Sequence, residues 1–439
     1  MKIIRIVNSK VVNEGCIKEN DILIKNGRIE NISPLVKGTS SEEIFDAKGK
    51  LLLPGMIDAH VHFREPGLEK KGTLSSESQA ALSGGITSIM EMPNTKPAAV
   101  TNKILEEKFK NAEKNCFTNF SFYLGASNTN LNELEAIDSK NVCGIKLFLG
   151  SSTGNLIVDS SEQIEKIFKS VQVPLALHCE VDNIIKENEK VFEKKFGEII
   201  PFNQHGLIRS EEACYQSSKF ALELSKKYNT HIHILHMTTA KELKLFSNKE
   251  INKKNITVEA CPHHLWFYDK NYDSKGSYIK CNPAIKTLGD RDALREALKN
   301  NIIDTVGTDH APHLTSEKEN SYFNAPSGMP IVQSAIPSLF EFLPATTVAQ
   351  KTAHNPSLIY KCLDRGFIRE GYFADLTIVD TEKPHTVNKD NIRYKCKWSP
   401  FEGTTFSSSV TATFVNGKLA YNDNKINPNI RGMRLKFDR

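Results

Sequence analysis

Long apolar runs, paired cysteines and one-sided charge are all missing from this 439-residue chain. No stretch approaches the roughly 20 consecutive apolar residues that span a bilayer, so a membrane-embedded protein is not expected. The opening Met1-Lys2-Ile3-Ile4-Arg5-Ile6-Val7-Asn8 lacks the apolar core and small-residue cleavage site of an export signal. Nine cysteines form an odd set with no C-x-x-C pair, which argues against a disulfide scaffold or a thiolate zinc knot. Most read as small buried apolar residues in a reducing cytoplasm. Net charge is only +5, with Lys and Arg scattered among acids and no basic stripe, so nucleic acid is not an expected partner. Low-complexity segments and short-period repeats are absent as well. What is left is an ordinary globular composition on a chain long enough to bury a large core.

Two short blocks differ from the middle. Up to about Leu53 the chain reads as β segments with tight turns: Asp21–Lys25 and Arg28–Ile32 flank Asn26-Gly27, a strong hairpin signal. The tail repeats the style, with Ala374–Asp380 and then Ala412–Val415 and Lys418–Tyr421 around Asn416-Gly417. Neither block alone offers enough strand to close a core. The expectation is one small β-sandwich domain built from residues 1–53 and 366–439.

Between them, over residues 54–365, short apolar runs alternate with amphipathic stretches. The runs are Met56–Phe63, Ile86–Met92, Phe120–Gly125, Cys143–Leu149, Pro174–His178, Ile232–Met237, Ile256–Cys261 and Ile303–Asp309, eight in all. Helical patterns sit between most of them, for instance Ser210–Tyr228 and Asp290–Lys299. Eight strand–helix alternations predict an α/β protein with a (β/α)8 barrel, whose active site lies at the C-terminal ends of the strands.

The ends of these runs carry the chemistry. Side chains alternate across a strand, so His60 and His62 share one side and can grip one metal ion. The fourth run carries Lys146, the fifth ends in His178, the sixth in His236 and the eighth in Asp309. A barrel would gather all six at one mouth. Imidazoles and a carboxylate with an open coordination position suit a catalytic zinc that activates water, and six such groups suit two metals. Lys146 is the odd member, flanked by apolar residues where an ammonium is costly. It either reacts with carbon dioxide to give a carbamate able to bridge two ions, or snorkels to solvent or pairs with an acid. His231 and His233 share the sixth run, and His233 has the wrong parity to join His236; both read as structural, as do His205, His354 and His385. His263 and His264 close the seventh run with an open role.

The motifs in order are LPGMIDAHVHFREPG, MPNT at Met92–Thr95, GIKLFLG, LHCE, RSEEA, HILHMTT, EACPHHL, CNPAIK and GTDHAPH. Together these resemble the cyclic amidohydrolases, and within them the dihydroorotase branch, over almost the whole chain. The resemblance implies two Zn2+ bridged by a carbamylated Lys146 and a hydroxide, held by His60, His62, His178, His236 and Asp309. It also makes Asp309 the catalytic proton carrier. Hydantoinases and allantoinases share those metal residues; dihydroorotases differ in reading a free carboxylate on the substrate. The positions that match that reader are Arg64, Asn94 and His313, and a guanidinium fork suits a carboxylate. Asn282 and the loop at Gly328 match ring contacts. Many longer bacterial dihydroorotases carry an aspartate motif after the fourth strand; the lysine in GIKLFLG departs from it, as in hydantoinases. The implied reaction is the reversible closure of N-carbamoyl-L-aspartate to L-dihydroorotate. Rival readings are a hydantoinase or allantoinase, and a catalytically dead scaffold subunit. Dead members typically lose metal residues, and all six are present here. A small-molecule substrate and a cytoplasmic setting are expected, with a homodimer left open.

Overall fold

A computed structural model describes residues 3–36, 42–150 and 156–439. Met1, Lys2 and residues 37–41, which belong to the amino-terminal β block read above, lie outside the described residues. Eight parallel strands run in sequence order around a barrel: Met56–Val61, Ile86–Glu91, Asn119–Gly125, Gly144–Leu149, Leu175–Cys179, Ile232–Ile234, Ile256–Ala260 and Thr305–Val306. The ends meet through a single parallel bridge, Val61 to His310, in which the His62 N–H donates to the His310 carbonyl at 2.8 Å. The barrel is therefore nearly closed.

Alternation explains which residues face where. Ile145, Leu147, Leu175, Leu177, Ile232 and Val258 share one apolar core with helix residues such as Phe109, Ile167, Leu222 and Leu298. The residues between them, Lys146, His178 and Glu259, are equally buried but fall on the opposite face of their strands. The outer helices begin where their caps dictate. The Ser210 side chain accepts from the Ala213 N–H and opens Glu211–Tyr228, which Asn229 closes in the left-handed conformation. Thr287 and Asp290 form a capping box, so the helix expected from Asp290 starts earlier and runs Leu288–Lys299.

Two strands fall furthest short of their apolar runs. The sixth stops at Ile234 and the eighth at Val306. His236 (φ +40°) and Asp309 (φ +49°) turn left-handed just beyond, and that backbone cannot continue a ladder.

Both chain ends do build one β unit. A nine-stranded sheet joins Ile3–Asn13, Cys16–Lys25, Arg28–Ser33, Glu43–Asp46 and Leu51–Pro54 to Leu376–Asp380, Ser409–Val415, Lys418–Asn422 and Lys425–Ile426. Its first strand bends at a bulge between Ile6 and Ser9, with Asn8 at φ +55°. Before the bend the strand pairs with Glu43–Asp46, and after it with Leu51–Pro54. The sheet thereby folds over a core in which Ile4, Ile6, Ile22 and Ile24 meet Leu376, Ile378, Ala412 and Phe414. The two Asn-Gly turns abut: a Cβ on Gly417 would lie 2.6 Å from the Gly27 Cα, so neither turn tolerates a larger residue.

Candidate active site

A cavity of about 440 Å³ opens at the C-terminal ends of the barrel strands. His60, His62, Arg64, Asn94, Lys146, His178, His236, Asn282, Asp309 and Gly328 all line it, so ten of the eleven residues singled out from sequence reach one space. The eleventh, His313, adjoins the lining residue Arg64, with its Nε2 2.9 Å from Arg64 Nη2.

The metal-type residues converge through particular atoms. Asp309 Oδ1 lies 3.2 Å from His60 Nε2 and 3.1 Å from His62 Nε2. His178 Nδ1 lies 2.9 Å from His236 Nε2, and the His60 and His236 ring centroids are 5.3 Å apart. Three outer nitrogens have holders. His60 Nδ1 meets Glu259 Oε1 at 2.7 Å, His62 Nδ1 meets Asn94 Oδ1 at 2.7 Å, and His178 Nε2 meets Glu180 Oε2 at 2.9 Å. Arg209 Nη2 pairs with the same Glu180 oxygen at 2.6 Å. An oxygen acceptor on the far nitrogen fixes the tautomer and turns the near lone pair inward, as in metal-bound imidazoles. His236 Nδ1 is buried with no hydrogen-bond partner among the described residues.

Burial and charge tune the cluster. Burial alone would pull the His60 imidazolium down, but Asp309 and Glu259 outweigh it and raise its pKa to about 9. Burial would raise Asp309, yet His60 and His62 hold it well below the usual carboxylate range. Burial lowers His62 to about 4. It also lowers Lys146 to about 7, so a large share of this amine is neutral near pH 7. Lys146 is 1% exposed, its Nζ sits 4.5 Å over the Phe148 ring, and it joins no ion pair among the described residues. Four imidazoles, one ionised carboxylate and one desolvated amine, with an orphaned buried nitrogen among them, make a donor set that fits divalent metal. His60, His62 and Asp309 bring ligand atoms within 4.8 Å of one another.

Backbone strain gathers in the same place. Arg64 (φ +74°), His236 and Asp309 all occupy the left-handed region, which non-glycine residues enter at a cost. Arg64 is 8% exposed; its Nε donates to the Pro312 carbonyl at 3.0 Å. Asn282 Oδ1 accepts from Ser327 Oγ at 2.9 Å, tying the ring-contact candidates together.

Sequence reasoning passed over Glu180, Arg209 and Glu259. Each stood in a quoted motif; Glu180 lies two residues after His178, and that spacing was the available signal, while Arg209 and Glu259 offered none. Asp182, Lys186, Phe148 and Ser327 also line the cavity. Elsewhere, His233 bonds Thr257 Oγ1 at 2.8 Å inside the barrel, and His205 bonds Tyr322 and the Cys281 carbonyl. His354 clasps the β unit through Glu14 N–H and the Gly366 carbonyl. His263 keeps both ring nitrogens buried without hydrogen-bond partners among the described residues, and His264 Nε2 meets the Pro283 carbonyl at 2.9 Å. All nine cysteines are free and only Cys16 is exposed. Among the described residues no helix is long and apolar enough to cross a membrane.

A barrel whose strand ends gather histidines, an aspartate and a buried lysine defines a class, and the amidohydrolase family model matches residues 51–420. The chain belongs to that family, as a dihydroorotase-like cyclic amidohydrolase. It is 30% identical to a dihydroorotase of Methanosphaera stadtmanae, covering 97% of each chain. It is 32% identical to one of Listeria welshimeri, over 95% of this chain and 98% of that one. Among solved structures, an L-hydantoinase (dihydropyrimidinase) from Arthrobacter aurescens superposes with a TM-score of 0.94 at 24% identity, covering 99% of this chain and 100% of the other. At that identity the likeness speaks for the fold alone.

Proposed function

We propose that this chain is a dihydroorotase, interconverting N-carbamoyl-L-aspartate with L-dihydroorotate and water. The observation that carries the reading is Arg64. Its guanidinium is buried on the wall of the cavity that holds His60, His62 and Asp309, beside Asn94 and His313, and it joins no carboxylate ion pair among the described residues. A buried unpaired guanidinium is costly, and a substrate carboxylate relieves it by two charge-assisted hydrogen bonds. Hydantoin or a dihydropyrimidine has no carboxylate to offer there.

His60, His62, His178, His236, Asp309 and Lys146 as its carbamate would hold two zinc ions, which when bound supply a hydroxide at neutral pH and polarise the reacting carbonyl. The neutral Lys146 amine attacks carbon dioxide, forming one N–C bond and releasing one proton. Glu259, Asn94 and Glu180 hold the outer nitrogens of His60, His62 and His178, so those rings need no reorientation. Asp309, kept ionised, takes the proton of the attacking water and returns it to the departing ring nitrogen. In the closing direction the same carboxylate removes a proton from the carbamoyl nitrogen. Arg64, Asn94 and His313 bind the α-carboxylate and fix the reacting carbonyl against the metal-type residues; Asn282 and the backbone at Gly328 contact the ring.

The test is turnover of both compounds on metal-quantified protein. Dihydroorotate opening is expected, and Arg64→Ala should abolish it at least 100-fold while the metal content stays the same. The second reading, a hydantoinase, is favoured by the lysine at position 146. Opening of hydantoin with dihydroorotate left untouched would overturn the proposal in its favour.

A further inference from the structure

Two cationic side chains crowd His313 from opposite sides. Lys71 Nζ lies 3.0 Å from Nδ1, while Arg64 Nη2 lies 2.9 Å from Nε2. The Ser327 carbonyl is 3.1 Å from the same Nε2. Ammonium and guanidinium both only donate and a neutral ring has one lone pair, so the third neighbour decides: the Ser327 carbonyl only accepts, which leaves the lone pair on Nδ1, facing Lys71. The ring proton then sits on Nε2, where the Ser327 carbonyl accepts it. Nε2–H and Arg64 Nη2–H consequently stand 2.9 Å apart as two donors, with the Ser327 carbonyl at 3.1 Å as the acceptor of the ring proton. An anionic oxygen entering beside them can accept from Arg64 and share the ring proton with the Ser327 carbonyl.

Glu317 is what makes the arrangement conditional. Its Oε1 pairs with Lys71 Nζ at 2.7 Å, and its Oε2 stands 3.7 Å from His313 Nδ1. Without Lys71 the carboxylate is free to accept a proton-bearing Nδ1. The lone pair would then move to Nε2 and accept from Arg64, closing the donor pair on itself. We infer that Lys71 is a positioning residue that holds His313 in the Nε2–H form, so that His313 and Arg64 present a matched pair of donors to the substrate carboxylate. Lys71 does this by occupying Nδ1 and restraining Glu317, without touching substrate. The inference rests on the carboxylate reading of Arg64 above, and its spectroscopic arm does not depend on that reading.

Two measurements decide it. The first is the 15N-imidazole NMR spectrum, with His313 signals identified by their loss in His313→Gln. The full-length protein should show the Nε2–H pattern, Lys71→Met the Nδ1–H pattern, and Lys71→Arg the original one. An unchanged tautomer in Lys71→Met overturns the proposal whatever the enzyme's substrate. The second is kinetics on dihydroorotate, where Lys71→Met should raise KM about 10- to 100-fold with a much smaller change in kcat. Lys71→Arg should restore most of the affinity. Lys71→Met combined with Glu317→Gln should recover part of it, because the competing carboxylate is gone. A kcat loss at unchanged KM, or no recovery in the double variant, sinks the inference. Failure of the unsubstituted protein to use dihydroorotate, with the tautomer switch intact, would instead count against the substrate assignment.

Discussion

The two ends of the barrel bury charge in opposite ways. At the N-terminal end, Lys254 and Asp304 pair at 2.6 Å with both side chains 3% exposed, and the Val258 N–H donates to the other Asp304 oxygen. Lys351 donates to Asn301 Oδ1 and the Ile303 carbonyl, Asn355 to the Asp304 carbonyl, and Arg439 to the carbonyls of Tyr360 and Cys143. Arg439 Nη1 and His231 Nε2 are exceptions, buried without a partner among the described residues. Phe437 and Tyr360 pack beside them. At the C-terminal mouth, by contrast, His236 Nδ1 is an orphan, Arg64 lacks a carboxylate partner among the described residues, and three residues are left-handed. A buried polar group with all its bonds made stabilises one structure; one left unpaired awaits something that binds. The closed end ties most of its buried charge into pairs, and the open end holds the residues of the proposed reaction.

That contrast can be broken from either side. The largest effect is expected at the mouth: Asp309→Asn should lower turnover by about 10³-fold, the scale of losing a positioned general acid–base, with the fold retained. Steady-state kinetics beside a thermal melt checks both halves. At the closed end, Lys254→Met strands Asp304 in the core and should cost about 3 to 5 kcal/mol of stability, the scale for halving a buried ion pair. Urea unfolding measures it, and KM of the folded fraction should not move.

The smallest effect sharpens the comparison on a buried acid satisfied by hydroxyls alone. Glu242 accepts from Ser218 Oγ at 2.7 Å and Thr239 Oγ1 at 2.8 Å, and burial raises its pKa from 4.5 to about 7. The native state keeps this proton up to about pH 7, while the unfolded chain releases it near 4.5. Between those values the native state binds more protons, so this group's contribution falls as pH rises. Glu242→Gln should remove that slope, narrowing the stability gap between pH 5 and pH 8 on the order of 2 kcal/mol. Equal gaps in the two proteins would show that Glu242 is not the titrating group.

Much of this was readable before any coordinates. Hydrophobic runs located all eight barrel strands, because a parallel strand packed on both faces must be apolar wherever it carries no chemistry. Residues that break such a run stand out, which is how His60, Lys146, His178 and Asp309 were found. The Asn-Gly turns announced both hairpins of the β unit. Less legible were the strand ends at Ile234 and Val306, since histidine and aspartate tolerate left-handed backbone better than most residues but adopt it too rarely to mark a strand end. Glu259 and Glu180 were visible only as members of motifs and Lys71 stood in none; their partners His60, Arg209 and His313 are distant or depend on the fold.

Sequence alone thus determined the elements, their order and which residues interrupt them, because periodicity and turn chemistry act over a few neighbours. Tertiary structure alone decided which nitrogen of each histidine faces inward, which buried charges are satisfied, and that Lys71 and Arg64 meet across one ring. Those outcomes depend on hydrogen-bond distances between atoms that only closure of the barrel brings together.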